Sequence, residues 1–242
     1  MSIHLVGGGY RDDAEEAVYG GFVDEAVARA AREADERSAR IAVLTVREEA
    51  DPEHGERFAA ILGRVAGARQ LDVVPTVVDE GQRMPAVALE SADGILVGGG
   101  LTPAYLTALA PLAGSIRTAV EAGVPYLGFS AGAAIAPDRA LVGGWRIGDV
   151  EVANEDSGED LEEVAVEAGL GLIDVTVDVH AVQWGNLTRA IAAVDSGAVG
   201  EVIAIDESTV LTVGSGPLRA GGAGTVWVVT RDERGVLVRS MR

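Results

Sequence analysis

The chain has 242 residues, 48% of them apolar, and a formal charge of −19 from 38 acidic against 19 basic side chains. That length and apolar share suit one large domain with a full core, and the excess of carboxylates excludes a phosphate-backbone partner. Cysteine is absent and every basic residue is arginine, which removes disulfides, thiolate metal sites, cysteine nucleophiles and all lysine chemistry.

No apolar run is long enough for a membrane span, and MSIHLVGGGY reads as a first strand rather than a signal peptide. Ser2–Val6 is that strand, ending in Gly7-Gly8-Gly9. Phe22–Arg37 has helical spacing, and Ile41–Val46 is a continuous apolar strand. Asp51-Pro52 opens a helix to about Val65, with Asp51 as N-cap and Pro52 as first helical residue. Strands follow at Leu71–Val78 and Asp93–Val97, the second ending in Gly98-Gly99-Gly100. Thr102 reads as the N-cap of a helix running to Ala122, and Val124–Gly128 as the strand before Ser130.

Asn154–Glu163 is an acidic loop. Val175–Val179 and Glu201–Ile205 read as further core strands with a helix, Asn186–Val194, between them. Thr209–Val213, Thr225–Thr230 and Val236–Arg239 read as a small antiparallel C-terminal extension. Continuous apolar strands alternating with amphipathic helices predict an α/β fold: a mostly parallel, doubly wound sheet with helices on both faces, in one domain over 1–242.

In such sheets ligands gather beyond the carboxyl ends of the strands. VGGGY lacks dinucleotide-fingerprint spacing, since Asp12 stands where a third glycine is needed, so it reads as a tight strand exit and no cofactor is expected. Gly128-Phe129-Ser130-Ala131-Gly132 satisfies G-x-S-x-G between an apolar strand and a small-residue helix. That turn lifts a serine Oγ above the sheet and aims the N–H of Ala131 at a developing oxyanion. A serine nucleophile needs a base, and there are three histidines. His4 lies inside the first strand, a core or edge position. His54 stands in a charged helix start and is expected to be solvated. His180 follows a strand, on the side of Ser130. The carboxylate orienting it lies either between Ser130 and His180, among Asp138, Asp149, Glu151 and the acidic loop, or after His180, as Asp206 or Glu207. With one histidine in the site and no cysteine, no metal is expected.

Four segments in order, DGILVGGGLTPAYL (93–106), PYLGFSAGAAI (125–135), DVHAVQWGNLTRAI (178–191) and IAIDESTVLTV (203–213), resemble the peptidase E / cyanophycinase family of serine peptidases. The family's fold is like that of class I glutamine amidotransferases, and the likeness runs from about Ser2 to Val213. It implies Ser130 as nucleophile, His180 as general base and Glu207 as third member, with the N–H groups of Gly100 and Ala131 as oxyanion hole. Where cyanophycinases of the family carry Gln, Phe and two arginines around the histidine, this chain has Val179, Ala181, Trp184 and Asn186. Gln183 and Arg189 hold their places, and Leu101 replaces the usual Asn or Asp. Gln183, Trp184 and Arg189 are therefore the expected substrate contacts. Arg139, Arg146 and Arg189 are the cations expected near the site for an acidic substrate group.

The resemblance implies hydrolysis of short peptides, dipeptides with an aspartyl residue in particular. A cyanophycinase-like hydrolase of β-aspartyl-arginine bonds, an esterase with the same triad and a non-catalytic binding module are the alternatives. The expected partner is a small peptide, without nucleic acid or membrane, with a homodimer left open, and the expected location is the cytoplasm. The acidity reads as solubility or as an adaptation to a salt-rich cytoplasm.

Overall fold

A computed structural model describes residues 2–33 and 37–242. The first half of the chain runs β1 (Ile3–Val6), α1 (Glu15–Glu33), β2 (Ala39–Arg47), α2 (Glu53–Ala66), β3 (Leu71–Asp79), β4 (Gly94–Val97), α3 (Thr102–Leu109) and α4 (Ala113–Glu121). It continues with β5 (Tyr126–Phe129), α5 (Ala131–Ala134), β6 (Arg139–Gly143), β7 (Arg146–Ile147), β8 (Val150–Glu151), β9 (Ala165–Ala168) and β10 (Thr176–Val179). The last elements are α6 (Asn186–Asp195), β11 (Glu201–Ile205), β12 (Thr209–Val213), β13 (Arg219–Gly222), β14 (Val226–Asp232) and β15 (Gly235–Met241).

The central sheet has the order β13-β12-β1-β5-β4-β2-β3. Strands β1, β5, β4, β2 and β3 are parallel, and β12 and β13 extend the sheet antiparallel beyond β1. Every residue of β1, β4 and β5 is buried, which accounts for their unbroken apolar sequences: a sheet covered on both faces has no polar side to show. On one face Phe22 of α1 and Phe58 and Leu62 of α2 pack with Ile41, Leu96 and Leu127. On the other, Tyr105, Leu109 and Ile116 from α3 and α4 pack with Ile95, Val97 and Tyr126. This is the α/β arrangement expected from the sequence.

A second sheet has the order β10-β11-β14-β15. Its β10–β11 pair is parallel and the other pairings are antiparallel. Ala190, Ala193 and Val194 of α6 pack on it against Val202, Ala204 and Val229. The expected C-terminal grouping is therefore corrected. The strands 175–179 and 201–205 do not extend the central sheet, whereas 209–213 does, pairing with β1. Apolar content marks a strand as buried but does not say which sheet buries it.

Three local expectations also change. Helix α1 begins at Glu15, seven residues before Phe22, passing through Gly20 and Gly21; a Cβ at Gly21 would lie 3.4 Å from the His4 ring. Of the expected Phe22–Arg37 helix, residues 34–36 lie outside the described residues. The helix expected over Thr102–Ala122 is interrupted by a 3-10 turn at Ala110–Leu112, where Pro111 has no N–H to continue the ladder. Thr102 is not a side-chain cap; instead its N–H donates to Glu159 Oε2 at 2.7 Å, so a carboxylate from the acidic loop takes one of the free donors at that helix start. Asp51 does accept from the Glu53 N–H at 3.0 Å at the start of α2, although Pro52 stands at the N-cap and Glu53 is the first helical residue.

Candidate active site

Strand β5 ends at Phe129, and the chain turns at Ser130 with φ 52° and ψ −111° before entering α5. Non-glycine residues avoid this region, and the strain holds the side chain outward. The flanking glycines are dictated by contact. A Cβ at Gly128 would lie 2.3 Å from the Gly132 carbonyl oxygen, and one at Gly132 would lie 2.3 Å from that of Val97. Backbone bonds from Ser130 N–H to Val6 and from Gly132 N–H to Gly98 fix the turn between β1 and β4.

His180 leaves β10 with φ 51°, and its N–H donates to the Gly7 carbonyl, which joins the second sheet to the end of β1. Its Nε2 lies 2.8 Å from Ser130 Oγ, and its Nδ1 lies 2.7 Å from Glu207 Oε1. A carboxylate offers only acceptors, so Nδ1 carries the imidazole proton and Nε2 is free to accept from the Ser130 hydroxyl. Burial lowers the imidazole pKa below its ordinary value, against the opposing pull of Glu207.

The first glycine run has a purpose that the sequence concealed. A Cβ at Gly8 would lie 2.1 Å from His180 Cε1, and one at Gly9 would lie 2.6 Å from Glu207 Oε2. The run is the floor against which the imidazole and carboxylate lie. Asp206, the other carboxylate at this strand end, is buried and accepts from the N–H groups of Val182 and Thr225 and from the Trp227 indole. Asp138, Asp149 and Glu151 make no hydrogen bond to His180 among the described residues.

At the end of β4, the Gly98 N–H donates to Leu44 and the Gly99 N–H reaches His54 Nε2 at 3.4 Å. Gly99 must be bare, since a Cβ there would lie 2.9 Å from Ser130 Cβ. Among the described residues, the N–H groups of Gly100 and Ala131 have no acceptor. The hydroxyl of Tyr105 donates to the Gly99 carbonyl at 3.0 Å, and that of Tyr126 to the Gly132 carbonyl at 2.7 Å, so two buried tyrosines hold the two glycine turns in place.

His54 corrects an expectation. It is half-buried rather than fully solvated, and packs edge-on against Phe58, 4.9 Å between centroids, beside Tyr10 and Phe129. Burial, with help from the positive charges of Arg47 and Arg57, pushes its pKa down to about 4. It is therefore a neutral ring at the Gly98–Gly100 loop. The charged sequence of that helix start hid the apolar side facing the site. His4 is buried in β1, as expected.

The expected substrate contacts fall out differently. Gln183 Oε1 accepts from the Glu207 N–H at 2.9 Å and so steadies the carboxylate's backbone. Trp184 lies flat on the His180 ring. Arg189 is buried and fully engaged: its guanidinium forms a two-pronged pair with Asp178 and donates to the carbonyls of Gly144 and Ser157. It is held in a buried ion pair and is not among the residues that line the cleft above Ser130. Arg139 donates to the Ala198 carbonyl and Arg146 pairs with Glu162.

The cation that does face the cleft is Arg47, at the end of β2, which sequence reading missed because it resembles any charged strand terminus. The cleft above Ser130 and His180 has a volume of about 980 Å³ and is also lined by His54, Leu101, Trp145 and carboxylates of the acidic loop. A Cβ on Gly100 would lie 3.3 Å from Arg47 Nη1. Arg47 is half-buried and has no carboxylate partner among the described residues.

The sequence matches the model described as Peptidase family S51 over residues 45–219. No curated protein matches it. Among solved structures, a peptidase from an acI-B1 Actinobacterium is similar with TM-score 0.65 and 18% identity, over 99% of this chain and 93% of that one. A candidate peptidase E protein from Listeria monocytogenes EGD-e is similar with TM-score 0.53 and 15% identity, over 92% and 98%. At these identities the two structures speak for the fold.

Proposed function

The chain belongs to peptidase family S51 and is a serine-type peptidase, and from that premise we propose that it hydrolyses short peptides carrying an acidic residue, through Ser130, His180 and Glu207. The observation that supports this reading is the line Ser130 Oγ–His180 Nε2 at 2.8 Å and His180 Nδ1–Glu207 Oε1 at 2.7 Å, with Ser130 and His180 lining one cleft. In this reading Ser130 Oγ attacks the scissile carbonyl carbon while its proton passes to Nε2. Glu207 holds the tautomer and stabilises the imidazolium that forms. The carbonyl oxygen, now an anion, lies between the N–H groups of Gly100 and Ala131, each such donor lowering the barrier by about 3 kcal/mol. The imidazolium returns its proton to the leaving amine as the C–N bond breaks, and water attacks the acyl-enzyme by the same proton route in reverse.

The acidic group of the substrate is assigned to Arg47, the guanidinium beside Gly100 that has no carboxylate partner among the described residues. An ionised carboxylate there would gain a planar, two-pronged partner. A fluorophosphonate should label the wild type and not Ser130→Ala; absence of labelling in the wild type counts against Ser130 as nucleophile. Turnover of Asp-X dipeptides should exceed that of a β-aspartyl-arginine dipeptide. The reverse order would favour the isopeptide hydrolase.

A further inference from the structure

Trp184 stacks on His180 with ring centroids 3.8 Å apart and planes 6° from parallel. Its backbone N–H donates to the His180 carbonyl at 3.0 Å, so the turn that follows the histidine folds the indole back over its ring. The indole stays 42% exposed to the cleft, while the imidazole beneath it is 5% exposed. Gly8 closes the histidine's surroundings from the backbone side. One ring face is thus closed by an indole whose own inner face is already occupied.

We propose that Trp184 is a positioning residue for His180: its indole holds the imidazole in the line between Ser130 and Glu207, excludes water from that face, and favours the imidazolium that forms when Ser130 gives up its proton. The proposal rests on the reading of Ser130, His180 and Glu207 given above. Its physical basis is the negative face of the indole π-system, which attracts a cation lying flat on it, more so where water is excluded. In the resting enzyme the ring is neutral and the stack is ordinary aromatic packing. In the transition state the same stack faces a positive charge, so the interaction strengthens where it accelerates the reaction. The charged groups that face His180 from its packed neighbours are Glu207 after β11, Asp178 on β10 and Arg189 on α6, and substitution at Trp184 leaves all three in place.

The test uses two readouts. Indole emission of the free enzyme should change as His180 protonates, and this transition should vanish in both Trp184→Phe and His180→Gln, although Trp145 and Trp227 remain. In Trp184→Leu, which keeps an apolar cover without a π face, kcat should fall by about 2- to 30-fold with KM within about twofold, and the acid limb of the pH profile should move to lower pH. Trp184→Phe should recover most of kcat. A raised KM at unchanged kcat and pH profile in Trp184→Leu would overturn the proposal in favour of a substrate contact, as would an emission that ignores His180. If Ser130→Ala keeps full turnover, the nucleophile assignment fails while the emission transition survives, so the two failures are distinguishable.

Discussion

The imidazole of His180 lies so close to the backbone of Gly8 that a methyl group there would sit 2.1 Å from Cε1. Gly8 also has φ +93°, which side chains resist. Gly8→Ala should therefore push the ring off the line to Ser130 and lower kcat by about 100-fold or more, because displacements of about 1 Å at a reacting group cost that much. Circular dichroism checks that the variant still folds. Near-normal turnover in a folded Gly8→Ala protein would show that the ring has room the structure denies it.

Two neighbouring carboxylates should separate chemistry from stability. Glu207→Gln keeps the shape but removes the charge that orients His180, and turnover should drop by about 10²- to 10⁴-fold with little change in melting temperature. Asp206→Asn can keep one oxygen for the Val182 N–H and the Trp227 indole but sets amide hydrogens against the Thr225 N–H, and should cost about 1–3 kcal/mol of folding stability. Urea unfolding and steady-state kinetics on both variants would show whether the assignments are the right way round.

Arg47→Gln should lower kcat/KM for an Asp-X dipeptide by about 10- to 100-fold, the range expected for one charge-assisted contact. An Asn-X dipeptide, which has no carboxylate at that side chain, should lose far less. Equal losses on the two substrates would assign Arg47 to another part of the reaction.

His54 should make the protein acid-sensitive. Its folded pKa, about 4, lies below its ordinary value of 6.5, so the unfolded chain binds the proton first as pH falls. Stability that is present above pH 6.5 is then lost progressively down to about pH 4. Over that window the melting temperature of the wild type should fall more steeply than that of His54→Gln. Parallel curves would mean that His54 is protonated in the folded protein as easily as in water.

Arg189→Met should destabilise the fold by about 3–5 kcal/mol, because it leaves the Asp178 carboxylate buried and unpaired. The double variant Arg189→Met, Asp178→Leu should recover part of that loss. If Arg189→Met instead raises KM in a protein of normal stability, Arg189 contacts substrate after all.

The hydrophobic pattern carried the architecture a long way. The buried stretches 41–46, 94–97 and 202–205 were legible because a strand buried on both faces has no polar side to show. Ser130 was legible because a sharp strand-to-helix turn needs small neighbours, and the lack of lysine and cysteine left histidine as its natural base. The choice between Asp206 and Glu207 was not legible from spacing, since adjacent residues at a strand end differ only in which way they point. Only the folded chain turns Asp206 toward Val182, Thr225 and Trp227, and Glu207 toward His180.

By itself the sequence determined a parallel α/β core, a serine at a strand end, and a histidine and a pair of carboxylates at other strand ends. Tertiary structure decided what those ends face. It split the parallel strands between two sheets whose carboxyl ends meet, brought Gly8 and Gly9 under the histidine and the carboxylate, buried Arg189 against Asp178 and left Arg47 in the cleft. The physical reason is that periodicity reports whether a residue is covered, which is local and repeats along the chain. Which residue covers it depends on contacts between segments far apart in sequence, as between Gly8 and His180 or Gly9 and Glu207.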